Sequence, residues 1–144
     1  PGQVAEAKEN IEKAGFTTRI TTHALNLLDG NIPFPVGYNA IWMSQFLDCF
    51  SQDEILSLLQ RSYNALDEKG SLFILETYWD RQKFEASTYS LHGTSLYFTA
   101  IANGNSQMYH SRDMIALVEK AGLKIDEIID SIGISHTLIR CSRA

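Results

Sequence analysis

Between Tyr38 and Glu76 the apolar positions switch rhythm twice. Tyr38-Asn39-Ala40-Ile41-Trp42-Met43 is nearly continuously apolar and stops at Ser44-Gln45-Phe46-Leu47-Asp48. A short run of this kind predicts a strand of a parallel sheet. Ile55, Leu58, Leu59 and Leu66 then recur at helical spacing and predict a helix from Ser51 to Ala65 with one apolar face. Ser51 followed by Glu54 is the S-x-x-E capping-box pattern at its start. Asp67-Glu68-Lys69-Gly70 predicts a turn, and Ser71 to Thr77 a second strand whose apolar part ends at Glu76. Ligands of parallel α/β sheets bind beyond the carboxyl ends of the strands. Asp48 and Glu76 both fall there, so the pattern already locates a candidate active site.

The flanking segments extend the alternation. Gln3 to Ala14, rich in Ala, Glu and Lys, predicts a helix with Gly15 as its stop. Thr17 to His23 is dense in β-branched residues and predicts a strand. Leu27 to Gly37 contains Pro33 and Pro35 and predicts a loop with extended backbone. Tyr78 to Tyr109 is aromatic and irregular. Ser111-Arg112-Asp113 opens a helix that runs to Ala121 and stops at Gly122. Leu123 to Ile129 and Ile134 to Cys141 predict two final strands, joined near Asp130-Ser131-Ile132-Gly133 and close enough in sequence to be antiparallel. Alternating helices and strands predict an α/β fold with a parallel sheet and helices on both faces. No internal repeat, linker or low-complexity segment is visible, so the chain is one domain or part of one.

Composition narrows the function classes. The chain has 144 residues, 44% of them hydrophobic, enough for one domain with a real core. A net charge of -5 and scattered lysines and arginines argue against nucleic acid as a partner. The apolar runs are too short to span a bilayer. Two cysteines, Cys49 and Cys141, make no disulfide framework and point to reduced thiols in a cytoplasmic protein. Cys49 follows Asp48 but has no sequence-adjacent histidine to activate it. The four histidines show no H-E-x-x-H or C-x-x-C spacing, so no metal site is expected.

The stretch Leu47-Asp48-Cys49-Phe50-Ser51-Gln52-Asp53-Glu54-Ile55-Leu56-Ser57-Leu58-Leu59 lines up without a gap with the block L-H-D-W-S-D-E-E-x-I-x-I-L. That block belongs to plant and bacterial S-adenosylmethionine-dependent O-methyltransferases, which this chain resembles. Gly70-Ser71-Leu72-Phe73-Ile74-Leu75-Glu76 is similar to the family's G-K-x-I-I-V-E strand. Asn26-Leu27-Leu28-Asp29 with Ile32-Pro33 resembles its D-x-F-x-x-x-P loop, and Ala121-Gly122-Leu123 its A-G-F. The resemblance covers nearly the whole chain in register. It implies a Rossmann-like methyltransferase fold with spatial strand order 3-2-1-4-5-7-6 and strand 7 antiparallel, which accounts for the closing hairpin.

The resemblance also implies that residues 1–144 are the C-terminal part of the catalytic domain, with strands 3, 4, 5, 7 and 6 present. Strands 1 and 2, the glycine-rich cofactor turn, the ribose-binding carboxylate and the N-terminal dimerisation domain would lie outside. Strands 4, 5, 7 and 6 should form a contiguous sheet. Strand 3, at Thr17–His23, should be detached, mispaired or paired with another molecule, and the side of Tyr38–Met43 facing away from strand 5 should be an open edge. By itself the fragment is expected to bind cofactor weakly and to be inactive.

Site roles follow residue by residue from the same resemblance. Asp48 stands where the family has its catalytic base histidine, and Glu76 matches the glutamate that orients that base. Asn26 stands where an aspartate accepts a hydrogen bond from adenine, with Leu27 packing on the ring. Ser44 and Gln45 would contact the sulfonium side of the cofactor. Trp79, His92, Tyr97, Phe98 and Tyr109 belong to the segment that shapes the acceptor pocket. Met108 stands at the position of a second acidic residue and has no assigned chemistry. The implied reaction is methyl transfer from S-adenosylmethionine to a hydroxyl of a small, aromatic molecule, giving S-adenosylhomocysteine, in a cytoplasmic homodimer. Two alternatives stay open: a methyltransferase-like binding or regulatory protein without catalysis, and a nicotinamide-dependent dehydrogenase, which the closing hairpin disfavours.

Overall fold

The structure, a computed structural model, describes residues 2–102 and 104–144. It divides into two units, residues 1–32 and residues 33–144. The first unit holds helix α1 (Gly2–Lys13), which ends at Gly15 with a φ of 74°. The Thr17–His23 segment departs from its expected strand. Its backbone turns back on itself, Arg19 and Ile20 N–H both donating to the Phe16 carbonyl at 2.9 Å. β-Branched residues favour a strand only where a neighbouring strand accepts their backbone groups, and no such partner is hydrogen-bonded here.

The second unit is built on a four-stranded sheet in the order β1-β2-β4-β3. The strands are β1 (Tyr38–Ser44), β2 (Leu66–Glu76), β3 (Leu123–Ile132) and β4 (His136–Arg143). β1 and β2 are parallel, whereas β4 pairs antiparallel with both β2 and β3. This is the order expected for strands 4, 5, 7 and 6. β1 is an edge strand, and Trp42 on it is 58% exposed.

Helices α2 (Gln52–Ala65) and α4 (Ser111–Lys120) pack on each other and on the sheet. The start of α2 is the capping box that the sequence spells: the Ser51 side chain accepts from the Glu54 N–H, and the Glu54 carboxylate accepts from the Ser51 N–H at 2.8 Å. Ile55, Leu58 and Leu59 of α2 meet Met114, Leu117 and Val118 of α4 in the buried layer. Each such side chain contributes roughly 1.5–3 kcal/mol on burial. Beneath them, alternate residues of β2 and β4 form buried cross-strand pairs: Leu72 with Cys141, Ile74 with Ile139, and Glu76 with Thr137. Glu76 therefore continues an otherwise apolar face.

Two more expectations are corrected. The Asp67–Gly70 turn is instead the start of β2, bulged outward between the Tyr38–Leu66 and Ala40–Ser71 pairs. The segment from Tyr78 contains helix α3 (Glu85–Tyr97), which runs into a π-helical turn at Phe98–Ala102; Asn103 lies outside the described residues. None of α3's side chains is buried. With no apolar stripe to a core, it lacks the periodic signal by which a helix is read from sequence. No described helix is long and apolar enough to cross a membrane.

Gly70 sits where the bulge closes on β1. A Cβ there would lie 3.0 Å from the Tyr38 carbonyl oxygen and 3.1 Å from that of Asp67. Both neighbours are backbone and cannot swing aside. Gly70→Ala should lower unfolding stability by about 1–3 kcal/mol, an overpacking cost, measured by urea denaturation.

Candidate active site

The site is assembled where the chain leaves β1. Ser44 pairs with Leu75, and the Gln45 N–H extends the ladder to the Leu75 carbonyl at 2.9 Å. The next two N–H groups, of Phe46 and Leu47, both donate to Oε1 of Glu76 at 2.8 Å. A single turn of 3-10 helix, Leu47–Cys49, follows and carries Asp48. The Asp48 carbonyl accepts from the Gln107 N–H at 3.0 Å, and the Tyr109 hydroxyl donates to the Phe50 carbonyl at 2.6 Å. Glu76 thus holds the turn from the sheet side, and Gln107 and Tyr109 hold it from the segment before α4.

Burial dominates the electrostatics. Glu76 is 2% exposed, and its Oε2 has no hydrogen-bond partner among the described residues. Desolvation raises its carboxyl to about 7, reinforced by the nearby Asp48 charge and opposed by the two backbone N–H donors. Asp48 is only partly buried. Its carboxyl is raised by desolvation too, against a hydrogen bond from the Cys49 thiol to Oδ1 at 3.5 Å. The Cys49 thiol is pushed up in turn, by desolvation first and then by the Asp48 charge, which disfavours the thiolate. A raised carboxylate is a stronger proton acceptor, which suits Asp48 to general-base work.

The expected acceptor residues occupy different settings. Trp79, in a 3-10 turn after β2, meets His92 in a tilted contact and His110 edge-on, with ring centroids 4.8 and 4.7 Å away. Tyr97 is exposed and edges against Phe98 at 5.8 Å. Tyr109 is 4% exposed, and its hydroxyl is committed to the Phe50 carbonyl. His110, not anticipated from sequence, lies against Trp79 with its Nδ1 accepting the Arg112 N–H at 3.1 Å; the Asp80 carboxylate, which accepts the Ser111 N–H and hydroxyl at 2.7 and 2.6 Å, lies 3.3 Å from the ring. Burial raises the Asp80 carboxyl, but these donors outweigh it and leave the group below the usual carboxylate range. The only sequence signal for His110 was its place just before the S-R-D helix start.

In the first unit, Asn26 and Leu27 line a cleft of about 660 Å³ together with Gln3, Val4 and His23–Leu25. The Asn26 side-chain oxygen accepts the Leu28 N–H at 3.3 Å. Ser44 and Gln45 lie at the end of β1, with the Gln45 amide against the His136 ring. Among the described residues, no group of three or more His, Cys, Asp or Glu is placed to hold a metal ion.

A family model described as an O-methyltransferase domain matches residues 1–124. No curated protein matches the chain. Among solved structures the chain is similar to the mitomycin 7-O-methyltransferase MmcR, with a TM-score of 0.83 at 19% identity, covering 100% of this chain and 40% of that one. It is also similar to the S-adenosylmethionine-dependent methyltransferase SibL, with a TM-score of 0.82 at 22% identity, covering 99% and 41%. A third is NcsB1, an O-methyltransferase from neocarzinostatin biosynthesis in complex with S-adenosylmethionine and 2-hydroxy-5-methyl naphthoic acid, with a TM-score of 0.76 at 17% identity, covering 98% and 38%. The chain spans about two-fifths of the length of these structures. At such identities the likeness establishes the fold.

The Glu76 setting has a direct consequence for stability. In the unfolded chain its carboxyl titrates near the ordinary value of about 4.3. Between there and about 7 the native state binds more protons than the unfolded state, so stability falls as pH rises through this window. The full difference is on the order of 4 kcal/mol. Glu76→Gln keeps an oxygen for the two N–H groups and mimics the neutral acid. Urea midpoints should show it close to the parent at pH 5 and more stable than the parent at pH 8.

Proposed function

Because the chain belongs to the O-methyltransferase domain family, whose model matches most of it, we propose that it supplies the base-bearing part of a site that methylates a hydroxyl of a small aromatic molecule. The observation that carries this reading is the clamped turn: Glu76 and Gln107 hold the Leu47–Cys49 backbone so that Asp48 stands partly buried at the carboxyl end of β1. Asp48 takes the proton from the acceptor hydroxyl as its oxygen bonds to carbon. Glu76 acts on Asp48 by holding the turn and by keeping its own charge suppressed below neutral pH, in place of a direct bond to the base.

S-adenosylmethionine, when bound, supplies an electrophilic sulfonium methyl group and leaves as S-adenosylhomocysteine. The cleft residues fit such a donor: Asn26 retains a second oxygen lone pair for an adenine amino group, Leu27 offers an apolar surface, and the volume suits a nucleoside. The family resemblance, independently of the cleft, assigns Ser44 and Gln45 to the sulfonium side of the donor. Trp79, His92, Tyr97 and Phe98, joined by His110, give an aromatic lining for a flat acceptor of the naphthoic or phenolic kind. Tyr109 contributes by fixing the Phe50 end of the turn. Complete activity belongs to a protein that also provides the remaining strands of the fold, working as a cytoplasmic homodimer as the family resemblance implies. A non-catalytic binding role is the second reading. It is favoured by the aspartate at the base position and by the engagement of Glu76 Oε1 with backbone.

The test is methyl transfer from labelled S-adenosylmethionine to a panel of phenols and hydroxynaphthoic acids. Asp48→Asn should lower turnover by about 100-fold or more with donor affinity unchanged, the size expected for loss of a general base. Turnover that is insensitive to this change at every pH removes Asp48 as base. Donor binding by the parent protein without transfer to any acceptor supports the second reading.

A further inference from the structure

Gln45 adopts a φ of 46°, in the left-handed region that side chains other than glycine enter only when neighbours hold them there. Its conformation matters because it turns the chain out of β1 and aims the following N–H groups, of Phe46 and Leu47, at Glu76. The ladder bond from its own N–H to Leu75 ends the strand and leaves the side chain as a further point of attachment. That side chain meets His136: Gln45 Nε2 faces His136 Nε2.

His136 is itself well anchored. It opens β4 one residue before Thr137, the ladder partner of Glu76, and pairs with Ile132 of β3. The adjoining Ser135 carbonyl accepts from Gln82 Nε2 at 2.9 Å, and Arg81 pairs with Asp130 on the same hairpin at 2.9 Å. Two neighbouring strands thus reach the same turn, β2 through Glu76 and β4 through His136.

We infer that His136 is a positioning residue that holds Gln45 in its left-handed conformation and so sets the turn that presents Asp48. The anchoring concerns backbone geometry alone; its effect on catalysis rests on Asp48 being the base.

Glycine adopts positive φ without an anchor, so Gln45→Gly should make His136 dispensable. The experiment is a cycle of His136→Ala with Gln45→Gly in a protein that also carries the remaining strands of the fold, read by hydrogen exchange at the Phe46 and Leu47 amides, with turnover read for His136→Ala alone. His136→Ala alone should speed exchange at both amides about tenfold, the loss of one anchoring hydrogen bond, with exchange in α2 unchanged. His136→Gln should restore protection, and in the Gln45→Gly background His136→Ala should have no effect. Exchange that ignores His136→Ala, or that changes equally in both backgrounds, overturns the inference. If exchange follows the cycle and His136→Ala alone leaves turnover constant, the anchor stands and its link to catalysis falls.

Discussion

Two backbone N–H groups converge on one buried oxygen of Glu76, and the candidate site is arranged around that meeting. The donors belong to Phe46 and Leu47, just past the end of β1, while the acceptor ends β2. The local 3-10 bonds, Cys49 N–H to the Phe46 carbonyl and Phe50 N–H to the Leu47 carbonyl, leave the N–H groups of Phe46 and Leu47 to be satisfied from elsewhere. A carboxylate from the neighbouring strand supplies the missing partner. A 3-10 turn follows, with Asp48 on it, and then the capping box that starts α2.

The position of Glu76 explains its unusual protonation. It occupies the slot after Leu72 and Ile74 on the face of β2 that packs beneath the helices, where an aliphatic side chain would be expected. The cost of a charge there is offset only in part by two N–H donors, because Oε2 lacks a hydrogen-bond partner among the described residues. A group shifted by burial and by a second carboxylate, placed beyond the carboxyl ends of two parallel strands, combines the features by which functional sites are recognised physically. The same carboxylate therefore has a structural role, holding the turn, and a protonation set by its burial and by the Asp48 charge.

The aromatic segment follows a different logic. α3 buries no side chain, yet Trp79 is in ring contact with two histidines. Thr88 ties the start of α3 to the Trp79 carbonyl at 2.9 Å, and Asp80 ties Trp79's neighbour to the first turn of α4. Order here comes from polar bonds at the ends of elements, with the aromatic rings gathered as a consequence.

Sequence by itself determined the elements whose signals are local. The capping box at Ser51–Glu54, the stops at Gly15 and Gly122, the α2 and α4 stripes and the closing hairpin are all set by residues within a few positions of one another. It also placed Glu76 at the end of its strand and Asp48 a few residues past β1, because strand ends follow from where apolar runs stop. Tertiary structure decided what depended on distant partners. Thr17–His23 had the composition of a strand without a ladder to join, and Asp67–Gly70 had that of a turn but lies within β2 as the bulge between its Leu66 and Ser71 pairings with β1. His110 and His136 became neighbours of Trp79 and Gln45 only through α4 and β4, many residues away. Above all, which atoms Glu76 would bind was unreadable from its neighbours in the chain: its partners lie 29 and 30 residues earlier, and only the closed sheet brings them within 2.8 Å.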